Sequence, residues 1–155
     1  MKQIRSIAIL GAGTMGSQIA AHMANAGLPT LLLDIDEQTA LMGLQRAKKL
    51  KPAPFFSEDC EALVTVGGFE SHLTQLQEYD WIIEAIVEQV DAKRQLLERV
   101  DAVRAPGTIV SSNTSGIPII DITRERSKDF RKYCLGTHFF NPPRYLSLLE
   151  IIPPR

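Results

Sequence analysis

The chain has 155 residues, of which 45% are hydrophobic, so it can bury one core and has little room for a second. Its 17 Lys and Arg against 18 Asp and Glu give a net charge of -1, so no overall field favours nucleic acid or an anionic membrane surface. No segment reaches the roughly 18 apolar residues of a membrane helix and no signal-peptide pattern precedes the first strand, so we expect a cytoplasmic protein with no nucleic-acid or membrane partner.

The first part of the chain has the pattern of a strand, a helix and a second strand. A β-branched run over residues 4–10 ends at a glycine, and an Ala-rich segment over residues 14–26 is typical of a helix. Residues 28–34 are almost unbroken in apolar character, as in a parallel strand that is covered on both faces. A complete βαβ unit is therefore predicted by residue 34.

The alternation continues through the middle of the chain. We predict helices over residues 37–50 and 91–103, the first of them ended by the KPAPFF segment at 51–56. Strands are predicted over residues 63–66, 80–85 and 108–111. Alternating elements of this kind favour an open α/β sheet.

The last part of the chain has a different pattern. Residues 133–140 and 146–153 are strand-like, and the NPPR segment at 141–144 is a turn signal between them. This pattern predicts a strand extension of the same sheet. The final PPR sequence at 153–155 is typical of a domain boundary, after which we expect more protein.

The GAGTMG segment at residues 11–16 matches the GxGxxG pattern between a strand and a helix. In that motif Gly11 permits a tight turn, Gly13 allows the backbone to approach a pyrophosphate, and Gly16 lets the helix pack closely on the strand. The helix N terminus then presents free N–H groups to the phosphates. The pattern by itself is weak, because a plain strand-to-helix turn has the same glycines.

An acidic residue at the end of the second strand strengthens the motif. Asp34 lies 18 positions after Gly16, where a carboxylate accepts hydrogen bonds from the adenosine ribose and repels the 2′-phosphate of NADP. We therefore predict NAD as the cofactor, bound by the glycine turn with Thr14 and Met15 and by Asp34. The alternative role for Asp34 is helix capping, for which Asp36 is the better candidate.

Four blocks of the sequence, in order, resemble the L-3-hydroxyacyl-CoA dehydrogenase family. They are GAGTMG at 11–16, EAIVEQVDAKRQL at 84–96, SSNTSG at 111–116 and GTHFFNPPRYLSLLEIIP at 136–153. The resemblance implies a Rossmann-type, doubly wound, mostly parallel α/β sheet with a C-terminal strand extension, which serves as the NAD-binding domain over residues 1–155. It implies NAD-dependent oxidation of (S)-3-hydroxyacyl-CoA to 3-oxoacyl-CoA, as in fatty-acid β-oxidation.

A catalytic base is the first requirement for oxidising a secondary alcohol. His138 is the natural candidate, since imidazole is a proton acceptor near neutral pH, and Glu150 can hold its other nitrogen across the NPPR turn. The resemblance implies the same pairing. The alternatives are a core histidine and an edge-strand surface charge, although the apolar neighbours of Glu150 indicate a mostly buried position.

The resemblance implies four further site residues. Ser115 corresponds to a serine that binds the substrate oxygen, and Asn141 to an asparagine near nicotinamide and substrate. Glu88 and Lys93 correspond to residues that contact the nicotinamide-side ribose. The alternatives are an ordinary polar loop after the strand for residues 111–114, and exposed helix charges for Glu88 and Lys93.

Other residues have no predicted role in the site. We expect no metal site, ordinary reduced thiols at Cys60 and Cys134, and surface positions for His22 and His72.

The resemblance also implies parts that lie outside these 155 residues. The family has an all-helical second domain, expected after residue 155, that supplies another active-site asparagine and much of a dimer interface. We therefore expect the full protein to be a homodimer or part of a multifunctional chain, as in long bacterial fusions with a hydratase domain, and this segment alone to bind NAD but turn over acyl-CoA poorly. Two other readings remain open, namely a non-catalytic NAD-binding module and a dehydrogenase of free 3-hydroxyacids with a lysine base.

Overall fold

A seven-stranded sheet lies at the centre of the structure, a computed structural model that describes residues 3–154. Residues 1, 2 and 155 of the predicted domain lie outside the described part. The strands are β1 Ile7–Leu10, β2 Thr30–Asp34, β3 Val64–Gly68, β4 Trp81–Glu84, β5 Ile109–Ser112, β6 Cys134–Phe139 and β7 Leu149–Ile152.

The order of the strands is β3-β2-β1-β4-β5-β6-β7. The first six are mutually parallel, and β7 pairs antiparallel with β6. The predicted doubly wound, mostly parallel sheet with a C-terminal strand extension is therefore confirmed. All six parallel strands end at the same edge of the sheet, and this edge carries the residues discussed below.

Three long helices and several short ones connect the strands. The predicted helices are present close to their expected ends, and the short ones were not predicted, because four to six residues show too little periodicity. The short helices form against the core, where Leu76, Ile122 and Phe130 are at most 1% exposed. The helices are α1 Thr14–Asn25, α2 Glu37–Lys48, α3 Glu58–Glu61, α4 Phe69–His72, α5 Val90–Val103, α6 Ile119–Thr123, α7 Lys128–Lys132 and a 3-10 helix over Leu73–Glu78.

Both faces of the sheet are covered, which explains the unbroken apolar runs of its central strands. Along β1, Ile7 and Ile9 belong to the core cluster that includes residues of α1 and α2. The alternate residues Ala8 and Leu10 belong to the cluster that includes residues of α5, α6 and α7. Since successive side chains of a strand point to opposite faces, β1 must be apolar at every position.

The glycine turn after β1 is built from close backbone contacts. Gly11 has a φ of +105°, and a Cβ on it would lie 2.6 Å from the carbonyl oxygen of Ala85. A Cβ on Gly16 would lie 1.8 Å from the carbonyl oxygen of Gly11, so α1 packs directly on the turn. A Cβ on Gly13 would meet no atom within 4 Å. The first and last glycines are therefore required by packing, whereas the middle one borders open space.

Both cysteines are free thiols, as expected. Cys134 lies in the core, and burial raises the pKa of its thiol to about 12. Along residues 3–154, none of the helices combines the length and apolar content needed to cross a membrane. Within the same residues, His, Cys, Asp and Glu side chains form no group of three that could hold a metal ion.

Replacing Gly16 by alanine is expected to lower the free energy of unfolding by about 1–3 kcal/mol or more, because the methyl group overlaps a backbone oxygen that cannot move away. Gly13→Ala is the matched control, with an expected change within about 0.5 kcal/mol. Denaturant unfolding of the two variants measures the difference. Equal stabilities would contradict the close packing described for the turn.

Candidate active site

The predicted site residues gather at the carboxyl edge of the sheet. Gly11 follows β1, Asp34 ends β2, Glu88 follows β4, Ser115 follows β5 and Asn141 follows β6. The strand order runs outward in both directions from the pair β1 and β4, and this reversal opens a crevice at the edge. In open α/β sheets, ligands bind at that crevice.

The N terminus of α1 has the features of an anion site. Its N-cap is Gly13, and no side chain caps the helix, so the first N–H groups are available to a ligand. Gly13 is exposed and borders open space. A cavity of about 180 Å³ adjoins the turn, lined by Gly13, Thr14 and Ser17 and by Arg46 of α2. These residues fit the phosphates of a dinucleotide.

Asp34 is tied to the glycine turn by its own carboxylate. Its Oδ2 accepts a hydrogen bond of 2.6 Å from the Ala12 N–H, and its Oδ1 accepts one of 2.7 Å from the Ile35 N–H. Asp36 caps α2 instead, accepting a hydrogen bond of 2.6 Å from the Thr39 N–H, which lowers the pKa of Asp36. Asp36, not Asp34, is therefore the N-cap of α2. Asp34 joins β2 to the glycine turn, and its carboxylate can still accept further hydrogen bonds from a ribose.

His138 and Glu150 face each other across the β6–β7 pair. They are register partners, and the His138 Nδ1 lies 2.8 Å from the Glu150 Oε2. The expectation that Glu150 is mostly buried was wrong, since its side chain is 52% exposed. The reason is that β7 is an edge strand, and all four of its residues are exposed. His138 is 19% exposed and thus accessible from solvent.

The second ring nitrogen of His138 faces Ser115. The distance from the Ser115 Oγ to the His138 Nε2 is 3.1 Å. If Nδ1 carries the proton and donates to Glu150, then Nε2 has a free lone pair directed at Ser115. The ring of Phe140 lies against the imidazole with 4.6 Å between centroids and limits its rotation. This arrangement can remove a proton from a hydroxyl group held near Ser115.

A buried ion-pair group lies beside this pair. The Lys93 Nζ is 2.7 Å from the Glu84 Oε1 and 3.2 Å from the Glu88 Oε2. Lys93 is 1% exposed and Glu84 is fully buried, whereas Glu88 is 46% exposed. Desolvation raises the pKa of Glu88, but hydrogen bonds from Thr114 and Lys93 and the charge of Lys93 outweigh it, so the pKa is lowered and the carboxylate stays ionised.

The loop after β5 is fastened at several points. The Thr114 hydroxyl and the Ser115 N–H both donate to the Glu88 Oε1, the latter at 3.0 Å. The Asn113 Oδ1 accepts a hydrogen bond of 2.9 Å from the Phe139 N–H, next to His138. Through Asn113 and Thr114, this loop connects the ends of β4, β5 and β6.

Sequence reasoning missed Glu84 and Gln18 as site residues. Glu84 is a charge at the end of an otherwise apolar strand, nine residues before Lys93, and this spacing was the available signal. Gln18 is 5% exposed and lies 3.1 Å from the Asn141 Oδ1. Gln18 is one of several polar residues in the Ala-rich helix α1, so the sequence carried no signal that singled it out.

His22 and His72, which were expected at the surface, are each of intermediate exposure. His22 contacts the Phe139 ring edge-on with 6.3 Å between centroids, and burial lowers its pKa. His72 packs over Gly67 and accepts a hydrogen bond of 3.3 Å from the Gly68 N–H. Both imidazoles therefore make contacts within the fold that sequence spacing does not reveal.

Residues 6–155 match the family model described as the 3-hydroxyacyl-CoA dehydrogenase, NAD binding domain. The chain belongs to this family. It is 48% identical to a probable 3-hydroxyacyl-CoA dehydrogenase from Deinococcus radiodurans, over 97% of the chain and 46% of that protein. It is 46% identical to a probable 3-hydroxyacyl-CoA dehydrogenase from Bacillus subtilis, over 98% of the chain and 22% of that protein. The chain thus spans half or less of the length of these relatives.

The fold is also similar to that of a solved structure named as a dehydrogenase of 3-hydroxybutyryl-CoA. The crystal structure of (S)-3-hydroxybutyryl-CoA dehydrogenase from Ralstonia eutropha matches with a TM-score of 0.82 at 31% sequence identity. The match covers 98% of this chain and 55% of that one. The crevice at the carboxyl edge therefore belongs to an NAD-binding domain of the Rossmann type.

Removing the ammonium of Lys93 tests the buried ion-pair group. Lys93→Met is expected to destabilise the fold by about 3–5 kcal/mol, because it leaves the Glu84 carboxylate buried without its cation. Arg99→Met is the matched control on the same helix, since its pair with Glu70 is exposed and is worth about 0–1 kcal/mol. Denaturant unfolding measures both variants, and a loss at Lys93 no larger than the control would contradict this assignment.

Proposed function

We propose that this chain is the cofactor-binding and base-carrying part of an NAD-dependent 3-hydroxyacyl-CoA dehydrogenase. The observation that carries the proposal is the chain of contacts from Glu150 through His138 to Ser115, with separations of 2.8 and 3.1 Å. A proton acceptor oriented by a carboxylate and facing a hydroxyl group is what oxidation of a secondary alcohol requires. The similarity to two relatives named as 3-hydroxyacyl-CoA dehydrogenases supports the acyl-CoA substrate.

His138 takes the proton of the substrate hydroxyl on Nε2 in the oxidative direction. Glu150 holds the Nδ1 proton and stabilises the imidazolium that forms. Ser115 donates or accepts a hydrogen bond at the same oxygen, and Asn141 adds a polar contact from the turn after β6. When bound, NAD supplies the acceptor for the hydride that leaves the carbon atom.

The glycine turn, Thr14, Met15 and Asp34 would hold the adenosine and phosphate parts of NAD. Glu88, kept ionised by Lys93, would accept hydrogen bonds from the nicotinamide-side ribose. The support for this placement is geometric, since the uncapped α1 terminus, Asp34 and Glu88 all lie at the carboxyl edge of the sheet. Lys93 is itself too buried to reach far, and we propose that it acts by holding Glu88.

The base assignment is tested with His138→Gln in the intact protein, assayed with (S)-3-hydroxybutyryl-CoA and NAD. The expected result is a fall in kcat of about 10²–10⁴-fold, because the proton acceptor is lost, with NAD affinity unchanged. Arg99→Gln, in an exposed ion pair on α5, is the control and should keep the parent rate. If His138→Gln kept nearly the parent rate, the assignment of His138 as the base would be wrong.

The cofactor assignment is tested at Asp34. Asp34→Asn keeps an acceptor for the Ala12 N–H and removes the negative charge. It should therefore weaken NAD binding and reduce the preference for NAD over NADP. Calorimetric titration of parent and variant with both cofactors measures the change. If the parent bound NAD and NADP equally well, the proposed role of Asp34 would be wrong.

The substrate class is tested by comparing acyl-CoA thioesters with free 3-hydroxyacids. Activity on thioesters alone supports the proposed dehydrogenase, and activity on free acids alone would favour the alternative reading. NAD binding with no activity on either, in the intact protein, would favour the non-catalytic module. The HFFNP sequence at 138–142 favours a histidine base over the lysine base of the free-acid reading.

We propose that further protein covers β7 in the intact enzyme. Leu148, Leu149, Ile151 and Ile152 are 37–66% exposed, and a cavity lined by Ile119, Ile120 and Pro153 adjoins them. A contiguous apolar surface beside an active site marks an interface. The helical domain expected after residue 155 is the occupant we propose, and a homodimer, a multifunctional chain and a cytoplasmic location remain predictions from the sequence.

A further inference from the structure

The side-chain amide of Gln18 is buried on the face of α1 that lies against the end of β6. It is 5% exposed, and its Nε2 lies 2.9 Å from the Thr14 carbonyl oxygen and 3.1 Å from the Asn141 Oδ1. His22, one turn further along the helix, contacts Phe139 of β6. The residues at i and i+4 therefore place one face of α1 against the segment that carries His138.

The orientation of the Gln18 amide follows from a backbone acceptor. The Thr14 carbonyl oxygen can only accept a hydrogen bond, so the Gln18 atom facing it must be the Nε2 donor. The same NH₂ group faces the Asn141 side chain, and an NH₂ group has no acceptor capacity. The Asn141 atom facing it must therefore be Oδ1.

The other end of the Asn141 amide is consequently a donor directed away from Gln18. Asn141 is exposed, and among residues 3–154 no acceptor is hydrogen-bonded to its Nδ2. Its two N–H groups are available to a ligand oxygen. Without Gln18, a half-turn about χ2 exchanges the donor and acceptor ends at small energetic cost.

We infer that Gln18 is a positioning residue that sets which end of the Asn141 amide faces the reaction, so that an N–H donor is presented to an oxygen atom of the substrate or cofactor. The inference rests on the proposed function, in which an oxygen gains negative character as its proton moves to His138. A donor stabilises that oxygen, whereas the carbonyl end of Asn141 would repel it. Gln18 thereby links the helix of the glycine turn to the catalytic segment.

Two variants of Gln18 separate the effect of polarity from that of volume. Gln18→Met keeps a similar volume and removes both hydrogen bonds, so Asn141 can adopt either orientation. Gln18→Glu places an acceptor opposite Asn141 and should turn its donor end away from the site. In the intact protein with (S)-3-hydroxybutyryl-CoA and NAD, we expect kcat/KM to fall about 5–10-fold for Gln18→Met and further for Gln18→Glu. Gln95→Met, at an exposed position of α5, should keep the parent value.

A double-mutant cycle with Asn141→Ala separates positioning from packing. If Gln18 acts through Asn141, Gln18→Met causes little further loss once Asn141 is alanine. If it only packs α1 on the sheet, the loss is the same in both backgrounds, and this result would overturn the inference. An unchanged rate for Gln18→Met and Gln18→Glu would overturn it too.

Two further measurements keep the outcomes distinct. The NAD affinity of Gln18→Met, measured by calorimetry, and its temperature of thermal unfolding should match those of the parent. If the affinity, the unfolding temperature and the rate all fell together, the glycine turn would be damaged, and this result would count against the inference. An inactive parent protein would instead contradict the proposed dehydrogenase function. An active parent with additive Gln18 and Asn141 effects would contradict only the role of Gln18.

Discussion

Between Gly11 and Gly16 the backbone passes so close to itself and to Ala85 that neither glycine has space for a methyl group. This contact brings the N terminus of α1 to the point where the strand order reverses between β1 and β4. From there the first turns of α1 reach Asn141 through Gln18. The N-terminal turns of α1 and the residues after β6 therefore lie close together because two glycines permit the approach.

Buried charge is distributed unevenly over the fold and has different consequences at its two ends. At the carboxyl edge, Lys93 is shared by the buried Glu84 and the half-exposed Glu88, so one carboxylate remains ionised and accessible. At the opposite edge, Arg104 is 3% exposed and pairs with Asp101 and Asp129, connecting α5 to α7. The second group joins the end of α5 to α7, and Asp101, Arg104 and Asp129 also line a surface cavity of about 440 Å³.

The His138 and Glu150 pair depends on sheet register rather than on a motif. Antiparallel pairing places them directly opposite, and a shift of one residue would turn Glu150 to the other face. Glu150 is held from one side only, since β7 pairs with β6 and has no second neighbouring strand in the described part of the chain. The imidazole is therefore oriented by β7, by Ser115 and by Phe140, and remains 19% exposed to solvent.

Local patterns were sufficient to predict the three long helices, an open α/β sheet, the glycine turn and the His138–Glu150 pair, because each depends on residues a few positions apart or related through one turn. The doubly wound order of the strands followed from the family resemblance. Tertiary structure alone decided the contact of Gln18 with Asn141, 123 residues later, and the exposure of Glu150. It also decided that Lys93 is buried against Glu84. These features depend on which strands become neighbours and on which strand lies at the edge, and neither hydrophobic period nor residue spacing carries that information.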